Sequence, residues 1–577
     1  MGTSGSELVT PGTRRERMQA RLSDGRIFEA VPGTVLGEVI RAAFGDPDPP
    51  IVAAIVDGHL RELTWPLLRD VDVTVLTTES SDGARIYRRS LAFLMLVAVD
   101  ETFPETDVYI EHSATTAAGY FCEIRGRESF SQDDLDRIGR RMRELVDADV
   151  PIVRTQVPMS EAIERFTARG EMDKVRLLSH RARETVVMYS LRGRHDYFQG
   201  YMVPSTGLLR RFALHAVAPG FLLQFPHQRK PTELVPLTPY PKLFALFEQA
   251  GDWLDRLGIR SAGALNDAIA GGRLPEVTLV AEALHEARVA QIAAAIAERR
   301  SDVRIVLVAG PSSSGKTTFS KRLAVQLLAH GVRPMPLALD DYFVDRERTP
   351  RDAKGEYDYE TIHALDLDLL NRQLMSLTAG EPTTLPKYDF LTGKQVTGPT
   401  VTLDRGHVVI AEGIHGLNPL LVDRLPAASV YRVYVSALTQ LNLDRHNRVS
   451  TSDTRLVRRT VRDARSRGYT AAQTLHRWQS VVHGEKVHIF CFQENADAIF
   501  NSSLMYELSV LRPLAEPLLL QVRHDTPEYL EANRLLSFLQ WFRPAGADVV
   551  PDNSILREFV GGSILEPFRL WPTDGVG

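Results

Sequence analysis

Eight consecutive residues carry the plainest chemistry in this chain: Gly310-Pro311-Ser312-Ser313-Ser314-Gly315-Lys316-Thr317. They meet the spacing G-x-x-x-x-G-K-[ST] at every fixed position. Glycines let a backbone fold tightly round phosphate oxygens with its N–H groups turned inward. The helix that follows, entered at Thr318, adds the positive end of its dipole. Lys316 is placed to reach the outer phosphates, and the Thr317 hydroxyl to ligate Mg²⁺. At average residue usage the pattern should arise by accident only about 2% of the time in a chain this long. A nucleoside-triphosphate site is therefore expected.

Further residues narrow the chemistry. Asn-Lys-x-Asp, which reads guanine in GTPases, and Leu-Ser-Gly-Gly, the transport-ATPase signature, are both absent. Asp340-Asp341-Tyr342-Phe343 follows an apolar stretch, Pro336 to Leu339. A carboxylate there can accept a hydroxyl proton as that hydroxyl attacks a phosphate. Asp340 is the first choice and Asp341 the second. Glu412 closes the run His407 to Ala411 and is placed to face the metal; His415 is expected to pack or bond locally. Residues 444–467 hold eight arginines against three aspartates. Arg455, Arg458, Arg459, Arg462 and Arg465 follow helical spacing, so a lid bringing guanidinium groups onto phosphate is expected. RNA binding by that face is the weaker alternative.

These residues need a scaffold. Ile305 to Ala309 reads as a buried strand before the loop, and Thr318 to His330 as a helix after it. Beyond Val303, strands alternate with helices, the pattern of a parallel α/β domain. Residues 241–300 read as mostly helical, broken at Gly271-Gly272 and resuming near Val277. Residues 84–240 read as mixed α/β, with Ser131 to Asp134 opening a helix by a capping box. Earlier still, strands at Gln19–Leu22, Arg26–Ala30, Ile51–Val56 and Val71–Leu76, with a helix capped by Thr34 and running to Phe44, suggest a β-grasp module.

Composition sets the bounds. The 577 residues are 44% hydrophobic and 24% charged, enough for three or four cores. A net charge of −5 argues against a whole-chain nucleic-acid coat. Two cysteines, Cys122 and Cys491, exclude a disulfide scaffold or a multi-cysteine zinc site and fit a reducing cytosol. No apolar run approaches a membrane span. Met1 to Ser6 fits the loose myristoylation pattern but reads as part of a flexible polar tail.

The second half resembles the uridine–cytidine kinase and phosphoribulokinase branch of P-loop kinases. The resemblance rests on the phosphate loop, Asp340-Asp341-Tyr342-Phe343, Leu385-Pro386-Lys387-Tyr388-Asp389-Phe390, Glu412-Gly413-Ile414 and Arg458-Arg459-Thr460-Val461-Arg462-Asp463 with Arg467-Gly468, over roughly residues 300–510. It implies Asp340 as general base, Thr317 and Glu412 round Mg²⁺, Tyr388 beside a nucleobase and Glu360 on ribose hydroxyls. It also implies Arg459, Arg462 and Arg467 on acceptor or phosphates. Two positions depart from the pattern: Gly393 where those kinases carry a base-reading histidine, and Tyr469 where they carry an arginine.

The first half resembles the N-terminal region of threonyl-tRNA synthetase. The matches are Ser23-Asp24-Gly25, Gly119-Tyr120-Phe121 and Val203-Pro204-Ser205-Thr206-Gly207. That family's His-x-x-x-His and Cys-x-x-x-His ligands are replaced here by Arg89, Phe93, Phe198 and Met202. Four lost ligands imply a lost site.

The resulting expectation is an α/β chain with five parts. They are a tail over 1–16, a TGS-like β-grasp over 17–80, a degenerate editing-like α+β domain over 81–240, a helical connector over 241–300 and a P-loop kinase domain over 301–577. It would transfer phosphate from ATP (GTP being the other donor) with Mg²⁺ to a small-molecule acceptor, a nucleoside 5′-hydroxyl first. A sugar phosphate, or nucleotide-responsive RNA binding, stands as the alternative. A cytoplasmic homo-oligomer is expected.

Overall fold

The computed structural model describes residues 16–568, apart from 115–117, 352–354, 356 and 440. The tail expected at the N-terminus lies almost wholly outside the described residues. The chain divides into two compact units. The first comprises the described residues of Met1–Ser113, Ala117–Ala162 and Arg183–Pro236; the second takes Ile163–Ala182 and everything from Leu237 on.

In the first unit a five-stranded sheet runs in the order Ile27–Ala30, Met18–Leu22, Val71–Thr77, Ile51–Val56, His59–Glu62. Met18–Leu22 pairs parallel to Val71–Thr77 and antiparallel to Ile27–Ala30. The helix Leu36–Phe44 turns Leu36, Val39 and Ile40 into the shared core. This is the β-grasp arrangement. Thr34 does not cap that helix. Its hydroxyl donates to Val31 O at 2.7 Å, and Val35 stands at the cap position. The 22-residue helix Ser81–Thr102 follows, then a three-stranded antiparallel sheet and a four-stranded sheet. Ser131 and Asp134 form the reciprocal capping box read from the sequence.

The second unit is built on a five-stranded parallel sheet, ordered Arg333–Ala338, His407–Glu412, Ile305–Ala309, Val430–Ser436, Ala498–Asn501. Ile305–Ala309 is buried along its whole length, as a central strand covered on both faces must be. Arg333–Ala338 contains Pro334 and Pro336 and lies at the sheet edge, where a missing N–H breaks no ladder. The strand stops at Ala338; Leu339–Tyr342 is a 3₁₀ turn. An antiparallel hairpin, Thr383–Asp389 with Lys394–Val401, stands apart from this sheet. The helices Pro241–Leu257, Ala262–Ala270 and Leu274–Glu298 belong to this unit. Arg288 donates to Ile499 O at 3.1 Å, and Tyr506 donates to Glu282 at 2.7 Å. Ile163–Ala182 is anchored by Asp173 accepting from Arg445 N–H at 2.8 Å and by Lys174 against His446 at 2.7 Å.

Candidate active site

Strand order positions the chemistry before any side chain does. Ile305–Ala309 runs into the phosphate loop, Arg333–Ala338 into Asp340, and His407–Glu412 ends on Glu412 itself. In register, Glu412 stands opposite both Val308 and Ala338. The loop, Glu412 and the Asp340 turn therefore meet at the carboxyl edge of three adjacent parallel strands, where open α/β sheets bind ligands.

The loop has the shape its sequence requires. Ser313 and Gly315 adopt left-handed backbone, φ 59° and 87°. A β-carbon on Gly310 would lie 1.9 Å from Val435 O, so only glycine fits. Among the described residues the buried hydroxyls of Ser313 and Ser314 have no partner. The helix Lys316–Ala329 starts directly at the loop. Narrow backbone, orphaned hydroxyls and a helix N-terminus together fit a bound phosphate chain.

Thr317 Oγ1 donates to the Glu412 carboxylate, 3.2 and 3.1 Å from its two oxygens. A hydroxyl beside a carboxylate is a hard oxygen set that fits Mg²⁺. Burial pushes Glu412 up to about 7; Lys316 opposes this, and Glu558 and Asp340 reinforce it. Burial likewise raises Asp340, with Lys316 and Arg467 pulling down and Asp341 pushing up. Glu360 rises to about 7, chiefly by burial and then by the charge on Glu485, while Arg459 pulls it down.

The two neighbouring aspartates separate cleanly. Asp341 accepts from Lys387 Nζ at 3.1 Å and from Tyr388 N–H at 3.3 Å, which ties it to the hairpin. Among the described residues nothing donates a hydrogen bond to the Asp340 carboxylate. It remains available to accept a proton.

The arginines divide as well. The arginines of the helix Thr451–Ser466 do not share one solvated face. Arg455 and Arg458 are fully buried. Arg455 grips Glu485 through two bonds of 2.6 and 2.8 Å, and Arg458 pairs with Glu507 at 2.5 Å. Both also reach the phosphate loop, Arg455 at Ser312 O (3.0 Å) and Arg458 at Ser313 O (3.4 Å). They brace the loop from behind. Arg459 donates to Ser312 Oγ at 2.9 Å, and Asp463 orients Arg459 and Arg462. Arg467 stands half-exposed, its Nε 3.7 Å from Asp463.

Tyr388 is buried, its ring 5.6 Å from Phe343 and 5.1 Å from Phe390. Tyr469 stacks under Arg477 at 5.0 Å. His415 is buried, and burial lowers it to about 4, so it stays neutral.

Three site residues escaped the sequence reading. Glu485 accepts from Ser312 N–H at 2.8 Å. Glu558 accepts from Thr318 N–H and Oγ1 at 3.3 and 2.9 Å. Arg346 lies across Gly393. None sits in a recognisable motif; Glu485 and Glu558 follow the phosphate loop by more than 160 residues and only folding brings them to it.

In the first unit, Phe93, Phe198 and Met202 belong to one hydrophobic core, the two rings 5.2 Å apart. Arg89 donates to Tyr201 O at 2.6 Å. Among the described residues, no group of three or more His, Cys, Asp or Glu side chains is placed to hold a metal, and no helix is long and apolar enough to cross a membrane.

A glycine-rich loop between a buried parallel strand and a helix, with carboxylates at two adjacent strand ends, defines a P-loop nucleotide-binding domain. Residues 305–508 match the family described as Phosphoribulokinase / Uridine kinase, and this part of the chain is a domain of that family. The N-terminal region is similar to threonine–tRNA ligases. That of Pelobacter propionicus is 32% identical over 197 residues, 34% of this chain and 31% of the ligase. That of Hyphomonas neptunium is 36% identical over 160 residues, 27% of this chain and 24% of the ligase. The chain thus spans about a third or less of the length of these relatives. Among solved structures, D-glycerate 3-kinase from Cryptococcus neoformans aligns over 44% of this chain and 87% of its own, with 15% identity and a TM-score of 0.20.

Proposed function

We propose that the second unit transfers the γ-phosphate of ATP to a hydroxyl of a small molecule, a nucleoside 5′-hydroxyl first. The observation that carries this reading is the free Asp340 carboxylate beside Lys316, one strand from the Thr317–Glu412 pair. The acceptor hydroxyl loses its proton to Asp340 while its oxygen bonds to the γ-phosphorus, and the bond from that phosphorus to the β,γ-bridging oxygen breaks. A carboxyl raised toward neutrality is a stronger proton acceptor than an ordinary aspartate. Thr317 and Glu412 would hold Mg²⁺, which supplies charge neutralisation on the phosphates. Lys316 and Arg459 add positive charge beside the loop, and Arg462 and Arg467 extend it toward the acceptor side. Glu360, at the place of a ribose-holding acid, accepts from acceptor hydroxyls.

The departure at Gly393 favours a second acceptor class, a sugar phosphate or other small alcohol. RNA binding loses its main motive, since Arg455 and Arg458 are buried in ion pairs. In the first unit three of the four ligand positions are core residues and the fourth is an arginine, and we infer that this region neither edits nor charges tRNA. Purified protein, ATP and Mg²⁺ against a panel of nucleosides and sugar phosphates tests the reading. A labelled nucleoside monophosphate supports the first acceptor class; product from sugar phosphates alone replaces it with the second; no product from either removes the kinase reading.

A further inference from the structure

Gly393 closes the hairpin between Thr383–Asp389 and Lys394–Val401 with φ 71°. A β-carbon there would meet three atoms of Arg346: Nε at 2.6 Å, Cζ at 2.7 Å and Cβ at 2.9 Å. The space that any side chain at 393 would need is filled by an arginine from another segment. Arg346 is fixed in place by its own N–H on Gly393 O and by Nη2 on Phe390 O, both at 2.8 Å. The hairpin tip beneath it is set by Asp389, which accepts from Leu391 N–H and Thr392 Oγ1 at 2.9 Å each.

Two groups here are chemically unfinished. Among the described residues Arg346 makes no ion pair, although guanidinium groups elsewhere in the chain are commonly matched to a carboxylate. Tyr388 is 4% exposed, and among the described residues its hydroxyl makes no well-aligned hydrogen bond. Burial and then Tyr359 raise that phenol, while the charge of Arg346 and a loose side-chain contact with it pull it back down. A buried polar group without a partner is costly unless something completes it. The rings of Phe343 and Phe390 flank Tyr388, and Tyr359 lies against Phe343 at 5.7 Å. Flat aromatic walls with donors at one edge suit a planar ring that presents acceptor atoms.

We propose that Arg346 is the specificity-determining residue of the acceptor site, and that it selects bases with an exocyclic carbonyl oxygen at the read edge (uracil, hypoxanthine) over bases with an amino group there (cytosine, adenine). This rests on the nucleoside reading above. A guanidinium has only donors. It pairs with a carbonyl oxygen and opposes an amino group donor to donor, the rule by which arginine reads a carbonyl on a base edge. Gly393 is then the small residue that makes room for the reader.

The test uses the full-length protein with ATP and Mg²⁺, comparing kcat/KM for uridine against cytidine and for inosine against adenosine. The wild type should favour the oxo member of each pair by tenfold or more, the scale expected when a wrong substrate leaves a buried donor unmatched. R346Q, whose amide can both donate and accept, should reduce each ratio about tenfold, mainly through KM of the oxo nucleoside. R346K keeps the charge but loses the planar fork and should fall between. Thermal melting and ATP binding establish that each variant is folded. Folded variants with unchanged ratios, or a wild type that favours the amino nucleosides, overturn the Arg346 assignment and leave the kinase reading standing. If only sugar phosphates are phosphorylated, the nucleoside reading falls and takes this assignment with it.

Discussion

Two quartets, each drawn from separate elements, have opposite surroundings. Lys316, Thr317, Asp340 and Glu412 lie at strand ends and a helix start, facing a cleft with carboxyls held above their ordinary range. Arg89, Phe93, Phe198 and Met202 stand where a related family keeps metal ligands, and three of the four are core. The lesson concerns what a scaffold does when chemistry leaves. A site that binds a charged ligand must keep polar groups unpaired, and that destabilises the fold locally. A site no longer bound to a ligand can be filled by apolar side chains, which stabilise it. The P-loop unit carries the first signature, with orphaned hydroxyls at Ser313 and Ser314. The N-terminal unit carries the second.

The largest expected break in that contrast is at Asp340. Asp340→Asn keeps shape and removes the proton acceptor. Turnover should fall by about 10²–10⁴-fold, the usual contribution of a general base, while ATP binding is retained. Steady-state rates with calorimetric ATP titration check it, and a variant at near-wild-type turnover would show that Asp340 is not the base.

The counterpart in the N-terminal unit is Phe93→Ala. It should cost about 3–5 kcal/mol of stability by opening a cavity in a packed core. The same substitution should leave phosphate transfer intact below the unfolding temperature. Chemical denaturation and kinase assays read the two effects separately. Loss of transfer in folded protein would mean that the two regions are not independent in function.

A smaller effect follows from Glu412. Its carboxyl is pushed up to about 7, so it is mostly protonated below that pH and mostly charged above it. Only the charged form can ligate Mg²⁺. Mg²⁺ affinity should therefore weaken by up to about tenfold for each pH unit below 7 and level off above it. A Mg²⁺ titration of the nucleotide-saturated protein between pH 5.5 and 8.5 measures this, and a flat profile would remove Glu412 from the metal's surroundings. The stability sign is the reverse. A raised carboxyl favours folding most below its unfolded value near 4.5, and that contribution is lost as pH rises through 7.

What could be read from the sequence follows from range. The phosphate loop, the Asp340 turn and Glu412 are local patterns whose positions follow from strand–turn–helix order, and each stands at the strand end its sequence implied. The parallel sheet was legible for the same reason, because continuous apolar runs such as Ile305–Ala309 alternate with helices. Contacts made across hundreds of residues left no local trace. Helical spacing marked Arg455 and Arg458 as neighbours of Arg459, but not that Glu485 and Glu507 would bury them. Gly393 was visible as a missing side chain, whereas its cause, Arg346 lying across it, exists only in three dimensions. Thr34 carried the right residue type for a helix cap, but the helix begins one residue too late for it to act as one.

The smallest expected effect sharpens the contrast most, because it concerns a phosphate site already holding an anion. Thr318 N–H and Oγ1, at the first turn of Lys316–Ala329, both donate to Glu558. A β-carbon on Gly315 would lie 2.6 Å from Ile555, so the same segment also packs directly on the loop. An incoming nucleotide must share those donors with a carboxylate of like charge or displace it. Glu558→Gln keeps an acceptor oxygen and removes the charge, so ADP and ATP should bind about three- to tenfold more tightly, equivalent to 0.7–1.4 kcal/mol. Since Glu558 also pushes Glu412 upward, the variant's Mg²⁺ profile should move to lower pH. Isothermal titration with ADP and the same pH series test both parts. Weaker nucleotide binding in E558Q would mean that Glu558 anchors the loop in its binding shape, and the carboxylate would then count as scaffold, like Glu485 behind Arg455.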